Sequence, residues 1–127
     1  MKPRVQQVIG YAALIGLIFG VGTAFVIIRI LLAMWGSCDI GINAGANLGG
    51  LLLYGPMFIV IAGLACGVAF ACIDVWAPRA AAYTVTGLVA LLVVWATVAW
   101  QHNPGGDYPE ILCENNIPPW WPDFIPL

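Results

Sequence analysis

Residues 8–35 read VIGYAALIGLIFGVGTAFVIIRILLAMW, with a single charge, Arg29, in the whole run. An α-helix needs about 20 apolar residues to cross a hydrocarbon core about 30 Å thick. Two more runs of the same kind follow, LLLYGPMFIVIAGLACGVAFACI at 51–73 and AAAYTVTGLVALLVVWATVAW at 80–100. None alternates apolar and polar residues over about ten positions, as the strands of a membrane barrel do. The pattern predicts an all-α integral membrane protein with three transmembrane helices over about 8–35, 51–73 and 80–100. The first run exceeds what a bilayer requires, so its helix is expected to tilt or to project beyond the membrane.

Composition leads to the same class. Of the 127 residues, 62% are hydrophobic and 8% charged, with a mean hydropathy of +0.97. A soluble domain carries about 25% charged residues, so this chain cannot cover a water-facing surface. It is also too short for several domains. The expected organisation is a three-helix bundle over residues 1–101 and an irregular Pro/Trp-rich tail over 102–127.

Lys and Arg set the expected orientation, because they accumulate on the cytoplasmic side. Lys2 and Arg4 precede the first helix and Arg79 lies in the second connection, whereas the first connection and the tail after Gln101 carry neither residue type. The N-terminus and the Arg79 turn are expected to be cytoplasmic, with the first connection and the C-terminus outside. Asp39, Asp107, Glu110, Glu114 and Asp123, five of the six acids, then lie outside. A lipoprotein signal at Gly36–Cys38 is rejected. Trp35 stands where such a site needs a small aliphatic residue, and the apolar run far exceeds a signal core of about 7–15 residues. The expected compartment is the plasma (inner) membrane.

The four cysteines divide into two pairs. Cys66 and Cys72 fall within the second helix, six residues apart and on different faces, and read as buried small hydrophobes. Cys38 and Cys113 share the outer side, where disulfides persist. The dozen residues after the third helix can extend roughly 40 Å, enough to return across a small bundle. An intrachain Cys38–Cys113 bond is the first expectation, ahead of an interchain bond or free thiols. It would pin the root of the tail over the first connection.

Small residues recur every four positions in the first two helices. Ala12, Gly16, Gly20 and Ala24 form one stripe, and Gly63, Gly67 and Ala71 the other. In lipid, helices gain from close backbone approach rather than from hiding leucine. The stripes therefore read as packing between the two helices, or as a seat for a partner helix. Pro56 is expected in the first turns of the second helix, started late or kinked by it. Pro78 is expected at the start of the third, with Asp74 and Arg79 placed to pair across the turn between them.

Arg29 lies near the outer interface. Its stem can snorkel, or it can pair with Asp39, Asp107, Glu110 or Glu114; a contact with a partner subunit or a lipid phosphate, and a transport role, are the alternatives. The first connection, INAGANLGG, reads as a flexible link or as a re-entrant segment lining a cavity. His102, the only histidine, lacks enough companions at suitable spacing for a metal site. There is no phosphate-binding glycine motif, and basic residues are too few for nucleic-acid binding. No metal or cofactor is expected.

The tail ends in PPWWPDFIPL. Its prolines exclude a regular helix, and its tryptophans suit the membrane–water interface. Trp120, Trp121 and Phe124 are expected either to anchor the tail on the outer leaflet or to dock onto a partner as aromatic anchors. No acid–base set for catalysis is evident. The expected role is a small non-catalytic membrane subunit that packs against and stabilises a larger membrane protein complex. The alternative is a homo-oligomeric channel or transporter.

Overall fold

The computed structural model describes residues 3–40, 44–103 and 112–127, and the side chains of 6–40, 49–50, 52–103 and 112–127. Three helices follow one another: α1 (Pro3–Cys38), α2 (Ala44–Trp76) and α3 (Arg79–Gln101), with a short 3-10 turn at Glu114–Asn116 in the tail. Among the described residues there is no strand. Each of the three helices contains a segment long and apolar enough to cross a membrane: Gln6–Cys38, Leu52–Trp76 and Arg79–Gln101.

The helices are longer than hydropathy alone implies. α1 has 36 residues and α2 has 33, so at 1.5 Å per residue they run about 54 and 50 Å. α2 begins at Ala44 rather than near residue 51, so most of the connection expected to be flexible, or a re-entrant segment, is helical. Glycine costs a helix only about 1 kcal/mol per residue relative to alanine, so a drop in hydropathy at Gly45, Gly49 and Gly50 does not end it. Pro56 consequently sits in the helix interior rather than in its first turns. A membrane helix tolerates such a proline because neighbouring groups take up the freed carbonyl.

The ends of the helices have local causes. Asp39 adopts a left-handed conformation, φ 53°, and the Ile40 amide donates to the Trp35 carbonyl at 3.0 Å. That is a Schellman stop, and Trp35 and Ile40 join the same buried cluster. Pro78 is extended, φ −63° and ψ 148°, and stands immediately before α3.

α1 and α2 make the closest approach in the bundle. A Cβ placed on Gly16 would lie 2.6 Å from the Gly63 carbonyl oxygen, and one on Gly20 would lie 2.7 Å from that of Ile59. Gly63 and Gly67 face the Gly16 and Ala12 carbonyl oxygens at 3.0 Å by the same measure. Two apolar clusters flank this crossing. One contains Ala12, Ile15, Phe70 and Ala82; the other centres on Ile27, Leu31, Met34, Phe58 and Val98. α3 packs mainly on α2 and touches α1 least. The buried Thr86 hydroxyl is satisfied within α3, donating to the Ala82 carbonyl at 2.8 Å. Cys66 is buried as expected, whereas Cys72 is exposed; six residues along a helix turn it to a different face, so only one of the pair is the buried small hydrophobe read from sequence.

Candidate functional site

The end of the bundle where α1 and α3 finish carries the densest set of specific contacts. Cys38 and Cys113 are joined by a disulfide across 75 positions of sequence, with Cα atoms 5.2 Å apart, inside the usual 4.4–6.8 Å range. Both cysteines are buried. The Cys38 sulfur rests 3.7 Å from the Asn116 carbonyl oxygen. Asn115 and Asn116 are both left-handed, φ 53° and 58°, a conformation asparagine adopts more readily than most residues. They reverse the chain just after Cys113. The Asn116 side-chain amide then donates to Asn103 Oδ1 at 3.3 Å.

Four tryptophans fasten this end together. Trp35 Nε1 donates to the His102 carbonyl at 3.3 Å, tying α1 to the last turn of α3. Trp120 Nε1 donates to Ser37 Oγ at 2.9 Å. Trp121 Nε1 donates to the Ile125 carbonyl at 2.8 Å, closing a turn within the tail. Trp95 Nε1 donates to the Pro126 carbonyl at 2.8 Å. Trp95 is seven residues before His102, so it lies about 10 Å down α3. The tail therefore folds back along the flank of its own bundle.

This arrangement separates the three aromatic residues singled out from sequence. Trp121 is half-buried and packs, with Leu127, on the cluster around Ile27 and Met34. Trp120 remains 48% exposed and Phe124 84% exposed. Of these three, Trp120 and Phe124 offer the larger exposed apolar surface. Sequence reading missed Trp95 and Trp35 as fasteners of the tail and of α3. The available signal was that a tryptophan in an apolar setting needs an acceptor for its indole N–H, but nothing local identified which acceptor.

Arg29 stands on the face of α1 away from the core and is exposed. Among the described residues the ion pair present is Arg79–Asp74; Asp107 and Glu110, named above as partners for Arg29, lie outside the described residues. An arginine at mid-membrane costs about 2.5–3.5 kcal/mol on insertion scales. Six residues before Trp35, Arg29 is about 9 Å from the end of the span, where its stem can reach toward water.

At the opposite end, Arg79 lies 3.6 Å from Asp74, whose side chain is 8% exposed, and 4.7 Å from the centre of the Tyr11 ring. This contact joins the three helices at their other termini. His102 Nδ1 lies 2.7 Å from the Ala99 carbonyl oxygen. Among the described residues no group of three or more His, Cys, Asp or Glu side chains comes together to hold a metal.

Two apolar grooves open on the sides of the bundle. One, of about 510 Å³, runs along the α1–α2 crossing past Ala13, Leu17 and Leu64. The other, of about 440 Å³, lies between α1 and α3 and includes Gly22 and Gly87. Compared with known protein families, curated proteins and solved structures, the chain matches none.

Proposed function

We propose that this protein is a small non-catalytic subunit of the plasma (inner) membrane, with its N-terminus in the cytoplasm and its C-terminus outside. It packs against a larger membrane complex and presents its tail to that complex. The Lys/Arg asymmetry supports the orientation. The observation that carries the role is Phe124: a large apolar side chain, 84% exposed, on a tail fastened to its own bundle. The disulfide and the Trp95 and Trp120 bonds hold its backbone in advance, so little ordering remains to be done on binding. In this reading the glycine crossing of α1 and α2 holds the subunit together, and Arg29 and the outer aromatics face its surroundings.

Replacing Phe124 by alanine tests the role and leaves in place Trp120, which bonds Ser37 and meets Trp121 edge-on. If Phe124 is a hot spot, about 2–4 kcal/mol is lost, and recovery of a partner in mild detergent falls about thirty-fold or more. Unchanged recovery from a normally inserted chain would reduce the tail to a membrane-surface anchor. Recovery of a symmetric ring of this chain alone would favour the channel or transporter instead.

A further inference from the structure

The groove between α1 and α3 and the cation beside it have the polarity of a membrane lipid. Ile18, Gly22 and Val26 line the groove on α1, and Gly87, Leu91 and Val94 on α3. Arg29 follows Val26 by three positions and Gly22 by seven, so it lies on the same side of α1, at the end of the groove nearer the disulfide. From the level of Trp35, Arg29 is about 9 Å down, and the groove occupies about 13–25 Å. Its length of about 12 Å approaches the depth of one leaflet's hydrocarbon, about half of a 30 Å core.

We propose that this groove holds an acyl chain of an anionic glycerophospholipid in the leaflet at the disulfide end, with its phosphate paired to Arg29. Three observations carry this assignment, the first two of which select a lipid over a partner helix. The charge stands at the headgroup end and the apolar channel descends from it, as in a lipid of that leaflet. The guanidinium is exposed, with no carboxylate within ion-pair distance among the described residues, and its planar fork suits phosphate oxygens. The groove floor is open: a Cβ on Gly22 or Gly87 would meet nothing within 4 Å, so the fold does not need glycine at either place for its own packing.

The test uses the full chain, delipidated in mild detergent and then exposed to phosphatidylcholine vesicles containing or lacking phosphatidylglycerol. Bound lipid is counted by native mass spectrometry. We expect the wild type to retain phosphatidylglycerol at least five-fold over phosphatidylcholine, and Arg29→Gln to abolish that preference. Gly87→Leu, which fills the groove, should lower retention of both lipids. Intact mobility on a non-reducing gel checks that each variant keeps its disulfide. Equal retention of the two lipids by the wild type would overturn the proposal, as would an undiminished preference in Arg29→Gln. So would loss of a copurifying membrane protein, without change in bound lipid, on substituting Arg29; that result would assign the cation to a protein carboxylate.

Discussion

Gly16 and Gly20 differ from Gly22 in what surrounds them, although the three lie within seven residues. The first two face α2 backbone at distances no Cβ can occupy, whereas Gly22 faces open space. Gly20→Val should therefore force α1 and α2 apart and cost about 1–3 kcal/mol, the usual range for overpacking. Gly22→Ala should leave stability within about 0.5 kcal/mol. Thermal unfolding of the detergent-solubilised chain checks both. Equal losses at the two positions would mean that the glycine crossing does not set the helix separation.

At the scale of the element, α2 is governed by a proline that does not end it. Pro56 lacks an amide hydrogen, so the Leu52 carbonyl has no donor four residues on. The helix continues because the flanking segment is apolar on all sides and cannot unwind into hydrocarbon without exposing more carbonyls. Pro56→Ala supplies the missing donor and meets solvent or lipid, since residue 56 is exposed. We expect slower hydrogen–deuterium exchange over residues 52–58, with insertion and disulfide unchanged. Faster exchange there would show that the proline is needed for the packing of α2. The tail follows a different logic: beyond the 3-10 turn at Glu114–Asn116 it has short turns that bond Trp121 to Pro118 and Ile125 to Pro122, and it takes its shape from what it lies against.

For the whole molecule, the disulfide closes a loop that contains α2 and α3 and leaves α1 outside it. A chain-entropy estimate for a loop of that length is about 4–5 kcal/mol, an upper limit here because inserted helices are not a free coil. Replacing Cys38 and Cys113 together by serine should cost less than that, because helices that stay inserted keep the unfolded reference state short of a free coil. Thermal unfolding with and without reductant gives the value; a loss at the full estimate would mean that insertion does not constrain the reference state. The proposed orientation is tested separately. Lys2→Cys and Asp123→Cys should react with an impermeant thiol reagent from opposite sides of the membrane, and labelling from one side would refute it.

Sequence alone determined the membrane class and the number of helices, because hydrocarbon allows a chain of this length few alternatives to apolar helices with internally bonded backbone. It also named Cys38 and Cys113, since three crossings put both on one side. Helix ends were less legible. Hydropathy marks where hydrocarbon begins, whereas Ala44 and Asp39 mark where backbone bonding stops, and these are different physical boundaries. Which glycines are needed, which tryptophan turns inward and which stays free were decided by tertiary structure. Gly16 and Gly22, or Trp120 and Trp121, are alike to any local reading. They part only when a second helix or the flank of the bundle arrives beside one and not the other, bringing an atom within reach of a Cβ or an acceptor within reach of an indole.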